Sequence, residues 1–261
     1  MSGYGSFSEF YDGLMEDAEY EKRCEYILEL FQRHNHQPGI TLDLACGTGE
    51  LTVLLAEKGI DVFGIDASGE MLSQAMQKSA EKGLNILFLR QKMQNIDLYG
   101  TINTCICTLD SINHLTDEKD VAKTFDKVGL FMDKDGLFVF DVNTVYKHRN
   151  VLADNTFVFE NEKVFCVWQN SLKDNDVVEI DLDFFCEENG VYYRSGESFC
   201  ERAYSDGQIR KMLAEAGFEL EAVYNDMSFD SPSETAERLV YVAKMKEPRN
   251  RPSTSARNSG R

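Results

Sequence analysis

Two short stretches carry the chemistry that is legible in this chain. The first is Leu42-Asp43-Leu44-Ala45-Cys46-Gly47-Thr48-Gly49-Glu50, an apolar run that gives way to small residues just before an amphipathic helix. Small residues at the carboxyl end of a buried strand let a ligand approach the backbone. The second is Val62-Phe63-Gly64-Ile65-Asp66, another apolar run, which ends in a carboxylate one helix and one strand further on. An acid at that place can accept both hydroxyls of a ribose. Together they point to an adenosine-containing cofactor lying across the first two strands. A dinucleotide fingerprint needs a third glycine, and Thr52 stands there instead. Asp43, just before the turn, would repel a pyrophosphate but suits a ligand with an ammonium and a sulfonium.

Asp43-Leu44-Ala45-Cys46-Gly47-Thr48-Gly49 resembles motif I of the class I S-adenosylmethionine-dependent methyltransferases. Asp66-Ala67-Ser68-Gly69-Glu70-Met71-Leu72 resembles the motif that follows it, and weaker likeness runs from about Tyr11 to Lys246. The resemblance implies a Rossmann-like α/β fold: a seven-stranded, mostly parallel sheet with helices on both faces. It implies S-adenosyl-L-methionine as cofactor and S-adenosyl-L-homocysteine as product. Asp43 would engage the aminoacyl end, with backbone at Ala45, Cys46, Gly47 and Gly49 close by. Asp66 would take the ribose. Ala67, Met71, Gln91, Lys92, Met93 and Leu109 would surround the rest, and Tyr11 and Tyr20 would fold over the cofactor unless they serve ordinary helix packing. One position departs from the pattern. Lys92 stands where the family usually carries an acid that accepts from the adenine amino group, and an ammonium has no acceptor. The Gln91 amide oxygen is the expected substitute, with the Met93 backbone N–H reaching a ring nitrogen; a shifted loop is the alternative.

On the acceptor side, Leu109-Asp110-Ser111-Ile112-Asn113-His114 resembles the segment that joins cofactor and substrate sites in small-molecule methyltransferases. His114 is the natural general base, since an unperturbed imidazole titrates near pH 6.5; a structural role is the alternative. Asp110, Asn113, Asn143, Arg202 and Tyr204 are expected to meet substrate, Arg202 by pairing an acidic group. Base-nitrogen methylation uses an Asn/Asp-Pro-Pro-aromatic motif, and cytosine carbon-five methylation a Pro-Cys nucleophile. Neither is present.

Composition narrows the partners. With 27 basic against 45 acidic residues the net charge is −18, which opposes nucleic-acid phosphate and anionic membrane surfaces alike. Seven scattered cysteines without a C-x-x-C pair read as free thiols, not as a metal or disulfide framework. No signal segment or membrane span is visible, so the expectation is a cytoplasmic monomer or homodimer acting on a small molecule. A non-catalytic cofactor binder, a protein methyltransferase and a nicotinamide-dependent oxidoreductase are the competing readings.

The elements that must position these residues follow from periodicity. Tyr11 to Gln32 reads as a helix within an N-terminal cap, 1–39. Strands at 40–44, 61–65, 86–90, 102–108 and 137–142 alternate with helices at 49–58, 68–82 and 117–131, which indicates a parallel sheet with right-handed crossovers. The core is expected over 40–150 and 203–246. Between them, 151–202 shows alternating strands at 156–160, 163–169, 177–186 and 191–199 separated by Asn/Asp/Gly turns. This is an antiparallel insertion, either a lid for substrate or a remote stabilising element. A helix at 206–216 and a strand pair at 218–224 and 239–244 close the core. The tail, 247–261, with four arginines and two prolines, reads as disordered.

Overall fold

The computed structural model describes residues 19–160, 164–188 and 190–247. Tyr11 and most of the tail lie outside the described residues. The order is α1 (Tyr20–Arg33), β1 (Thr41–Leu44), α2 (Glu50–Glu57), β2 (Val62–Asp66), α3 (Gly69–Glu81), β3 (Phe88–Arg90), β4 (Ile102–Cys107), α4 (Glu118–Phe131), β5 (Met132–Asn143), β6 (Thr156–Glu160), β7 (Val164–Leu172), β8 (Val177–Glu188), β9 (Val191–Arg202), α5 (Asp206–Glu215), β10 (Phe218–Asn225) and β11 (Arg238–Met245). No helix among the described residues is long and apolar enough to cross a membrane.

Seven strands form one sheet in the order β10-β11-β5-β4-β1-β2-β3. Strands β1 to β5 run parallel, while β11 lies antiparallel to both β5 and β10. The sheet is buried on both faces, which is why β1 reads as an unbroken apolar run with all four residues buried. One face packs Leu42, Leu44, Phe138 and Phe140 against Phe125 of α4 and Leu213 of α5. The other packs Val62, Ile106 and Val139 against Ile27 and Leu30 of α1 and Leu55 of α2, with Tyr20 at the margin. The chain leaves β1 toward β2 and β3, then returns to place β4 on β1's other side. Ligands of open α/β sheets bind at the carboxyl ends of strands where the order reverses in this way.

The remaining four strands make a separate antiparallel sheet, β6-β7-β8-β9. Val178, Ile180, Leu182, Phe184 and Cys186 of β8 point one way by strict alternation and pack on Val164, Cys166 and Leu152. Strand β9 continues to Arg202, three residues past the apolar stretch, because Cys200, Glu201 and Arg202 keep their ladder with Val177 to Glu179. A π-helical turn, Lys147–Leu152, leads from β5 into this sheet; nothing in the periodicity announces it. Three helices start on residues that satisfy their first amides, Asp117 Oδ1 doing so for α4 by accepting from Lys119 N–H at 2.9 Å. Ser68 Oγ accepts from Met71 N–H at 3.3 Å, and Ser205 forms a reciprocal box with Gln208.

Candidate active site

The β1–α2 turn is built by backbone that most side chains avoid. Ala45, Gly47 and Gly49 all have positive φ, at 61°, 53° and 76°. The turn is tied down by Cys46 N–H on the Ile65 carbonyl at 3.0 Å and Gly49 N–H on the Cys46 carbonyl at 2.9 Å. Gly49 is required by two things at once: its φ, and a Cβ there would lie 2.7 Å from the Ala75 Cβ of α3. Gly47 differs, since a Cβ there would meet nothing within 4 Å. Its backbone opens onto free space.

Asp66 ends β2 beside this turn. Its Oδ2 accepts from Gly47 N–H at 2.9 Å and its Oδ1 from Ser68 N–H at 2.8 Å. These two bonds fix the carboxylate plane, and each oxygen keeps a further lone pair for a hydroxyl donor. Asp43 sits elsewhere. It is buried beneath the turn and accepts a hydrogen bond from the Thr52 hydroxyl at 2.5 Å. Burial pushes its pKa up to about 7; the Thr52 bond opposes the shift and nearby Asp66 adds to it. Thr52 thus occupies the third-glycine position because Asp43 needs a donor. Asp43, Cys46 and Gly49 shape the turn from behind and do not line the cavity described below. The Cys46 thiol, raised by burial, faces Gly64, where a Cβ would come within 2.7 Å of the sulfur.

The loop after β3 answers the Lys92 question in part. Gln91 Oε1 accepts from Asp97 N–H at 2.7 Å, and its Nε2 donates to the Asp97 carbonyl at 3.3 Å. The amide expected to substitute for the missing acid is therefore engaged in closing its own loop. Lys92 is exposed and leads into a short 3-10 turn, Met93–Asn95.

The loop after β4 is the second unusual piece of backbone. Leu109 and Asp110 are consecutive non-glycine residues at φ 57° and 51°, a conformation that costs roughly 1–3 kcal/mol per residue. Asp141 of β5 holds it. Its Oδ2 accepts from Leu109 N–H at 2.8 Å and its Oδ1 from Asp110 N–H at 2.6 Å. Asp141 is buried between two guanidinium groups, Arg23 of α1 and Arg238 of β11, each at 3.4 Å. Arg238 also pairs with Asp110 at 3.1 Å, and Arg23 takes both oxygens of Asp226. Burial pushes Asp141 up and the two arginines pull it back. At Asp110 the upward push of burial is outweighed by Arg238 and Lys147, and the pKa falls below the ordinary value.

Four residues expected at the substrate turn out to be brackets, and none lines the cavity. Asn113 is fully buried; it donates to the carbonyls of Asn143 and Arg202 at 3.1 and 2.9 Å and accepts from Asn143 N–H at 2.9 Å. Asn143 bonds the Asp110 carboxylate and reaches Glu201 at 3.3 Å. Arg202 donates to the Thr116 carbonyl at 3.1 Å and lies over the Tyr204 ring, while the Tyr204 hydroxyl bonds the Leu115 carbonyl. Their polar groups are taken up by backbone carbonyls and, at Asn143, by the Asp110 and Glu201 carboxylates.

That open space is a cavity of about 560 Å³ between the two sheets. One wall holds Ala45, Gly47, Asp66, Ala67, Met71, Gln91, Lys92, Met93 and Leu109; the other is the inward face of the inserted sheet. Asp110 and His114 stand where the walls meet. The His114 ring packs on Phe199 at 5.2 Å, and its Nε2 lies 3.7 Å from Glu201 Oε1. Desolvation lowers its pKa and Asp110 partly restores it; the exposure the ring retains is toward the cavity. Glu197, Phe199 and Glu201 all line the cavity. Neither glutamate is among the residues expected from sequence to meet substrate. The even spacing of Glu197, Phe199 and Glu201 along β9 is the available signal, since alternate residues of a strand share a face. Glu201 is buried and its pKa is pushed up to about 8, by burial and then by Asp110, with Asn143 opposing.

The donor wall fits S-adenosylmethionine on its own evidence. Gly47 offers backbone with room beside it, Asp66 an aligned carboxylate, and Met71 and Met93 an apolar slot. A β1 turn and β2 acid at a topological switch point define a nucleoside-cofactor site of the methyltransferase kind. Comparison with known proteins agrees. A model of the methyltransferase domain family matches residues 41–136. The chain is 36% identical over 242 residues to YqeM of Bacillus subtilis (strain 168), provisionally named a methyltransferase, covering 92% of this chain and 96% of that one. A crystal structure of an S-adenosylmethionine-dependent methyltransferase from Clostridium acetobutylicum ATCC 824 superimposes with a TM-score of 0.86 at 32% identity, over 94% of this chain and 99% of that chain. At 26% identity over 252 residues, a glycine/sarcosine N-methyltransferase of Parasynechococcus marenigrum (strain WH8102) is also similar, over 91% of this chain and 82% of that one. The chain belongs to the class I S-adenosylmethionine-dependent methyltransferases.

Proposed function

We propose that this methyltransferase moves the donor methyl by in-line displacement onto a nucleophilic atom of a small molecule held against the inserted sheet. The observation that carries the reading is the shared cavity: the motif turn and Asp66 form one wall, the inserted sheet the other, and His114 stands at the join. Bound at the first wall, S-adenosylmethionine supplies an electrophilic methyl on a sulfonium. The chain's own part is to align and to exclude water. Ala45 and Gly47 would set the depth of the donor, Asp66 would hold its ribose, and Leu109, held by Asp141, would border the place where donor and acceptor meet. Orientation of that kind is worth about 7–11 kcal/mol at best. His114 is positioned to take a proton from an acceptor that arrives protonated. The N-methyltransferase named above, whose likeness spans the inserted sheet, supports a small-molecule acceptor.

Calorimetric titration with S-adenosylmethionine, S-adenosylhomocysteine and NADH tests the reading. Saturable binding of the first two alone is expected, and Asp66→Ala lowers that affinity at least tenfold with the fold retained, a loss of about 1.4 kcal/mol or more. Unchanged affinity in the variant would remove the donor assignment. Binding without S-adenosylhomocysteine release, across all acceptors tried, would favour a cofactor-holding protein that does not turn over.

A further inference from the structure

Resting on that donor site, we propose that the acceptor is an amine with an apolar body and no carboxylate of its own, its nitrogen set between His114 and Glu201. Three observations carry it.

The first is charge. The acceptor end of the cavity presents Glu197, Glu201 and Asp110, whereas Lys92, at the donor end, is the one lysine or arginine among the described lining residues. A substrate carboxylate would find no counter-ion beside the inserted sheet, but an ammonium would find two glutamates. Arg202, the residue expected to pair an acidic group, is turned to the Thr116 carbonyl.

The second is the lining. Phe159, Trp168, Ile180, Leu182 and Phe199 make most of that wall. The one polar atom among these side chains, Trp168 Nε1, already donates to Asn170 Oδ1 at 2.5 Å. Sugar hydroxyls set against these five side chains would be left without partners, while aliphatic or aromatic carbon is covered and a cation is favoured near ring faces.

The third is a place for the proton. His148, on the π-helical turn, is fully buried. Its Nδ1 lies 2.9 Å from the Asp176 carbonyl, an acceptor, so Nδ1 carries the hydrogen and Nε2 is a bare acceptor. Nε2 has no hydrogen-bond partner and points at Glu201 Oε2, 3.9 Å away. A proton on Glu201 would complete that contact. Asp110 and Asn143 face the same carboxyl from the core, with Lys147 and Arg238 beyond. The step then balances. The ammonium gives one proton to His114, or to Glu201 where that carboxyl is ionised; the freed nitrogen lone pair forms the N–C bond as the C–S bond breaks; sulfur keeps that electron pair and leaves as the thioether.

The test uses four probes with the purified full chain saturated with S-adenosylhomocysteine: 2-phenylethylamine, its alcohol and acid counterparts 2-phenylethanol and 3-phenylpropionate, and glycine. Binding is read by calorimetry, and methyl transfer in parallel with S-adenosylmethionine. Only the amine is expected to bind and to gain a methyl. Glu201→Gln, which keeps the size and the Asn143 contact, weakens amine binding roughly tenfold or more, leaving donor affinity unchanged. Glu197→Gln, at a more exposed place, weakens it less. If the donor binds while the amine does not, or the acid or alcohol binds as well as the amine, the proposal is overturned and the donor site stands. If the donor itself fails to bind, both fall together. Should Glu201→Gln not fold, the selectivity among the four probes and the Glu197→Gln variant decide.

Discussion

The two walls of the cavity are made in different ways. The donor wall is organised by backbone: the turn Ala45 to Gly49 has three residues at positive φ, and its Gly47 amide fixes Asp66. The acceptor wall is side chains: alternate residues of β7, β8 and β9 with Phe159 of β6, and specificity rests on which residues the register turns inward. A backbone wall is fixed by rules that act over a few residues and tolerates little change. A side-chain wall can be rewritten one position at a time without touching the ladder behind it. That is how one donor chemistry serves different acceptors on one fold.

The comparison breaks most visibly where the walls are joined. Arg238→Met leaves Asp110 and Asp141 buried without their shared counter-ion. Breaking a buried ion pair from one side costs about 3–5 kcal/mol, so chemical denaturation should show a loss of that size together with abolished methyl transfer. A loss under about 1 kcal/mol, the scale of an exposed pair, would mean that the cluster does not hold the Leu109–Asp110 backbone. Next is the donor turn itself. Gly49→Ala meets both an unfavourable φ and the Ala75 Cβ, and should destabilise by roughly 2–4 kcal/mol. Gly47→Ala meets only the φ and should cost about 1–2 kcal/mol, yet it places a methyl where the donor approaches and should weaken donor binding more than its stability cost suggests. Equal stability losses in the pair would contradict the division between a packed and a ligand-facing glycine.

The smallest effect sharpens the acceptor wall. Glu201 in the folded chain keeps its proton up to about pH 8, while in the unfolded chain it ionises near its ordinary value of 4.5. The folded state then binds more protons across that window, so this group's contribution to stability falls as pH rises from 4.5 to 8. Glu201→Gln does not titrate. Melting followed across that range should show the wild type losing roughly 1–3 kcal/mol relative to the variant. His114 and His148, both lowered by burial, act in the opposite direction but are common to both proteins. A flat difference would show that Glu201 is ionised in the folded state at neutral pH.

Much of the core was legible because its determinants are local. The runs at 41–44 and 62–66 are buried on two faces, so they read as strands without ambiguity, and the small-residue turn between them has few other uses. The alternation at Thr156–Glu160 showed the first inserted strand with its observed bounds. What failed to show depends on distant partners. Asn113, Asn143, Arg202 and Tyr204 carry polar groups that look ready for substrate, but carbonyls and carboxylates from other segments claim them. Glu201 is indistinguishable in sequence from solvent-facing glutamates, and only the β8–β9 register turns it inward. Leu109 and Asp110 adopt left-handed backbone with no glycine to announce it, because Asp141 supplies the restraint from 31 or 32 positions away. The donor motif is a local code; the acceptor pocket is a tertiary one.

The Asp141 cluster has a consequence for how the enzyme comes into being on the ribosome. Arg238, which neutralises Asp141 and Asp110, follows Asp141 by 97 residues. A nascent chain therefore exposes its entire donor motif long before the Leu109–Asp110 loop, where the two walls meet, can settle. Loss of the last strand, whether by premature termination or by proteolysis, would leave a protein that carries every recognisable signature of a methyltransferase and transfers nothing.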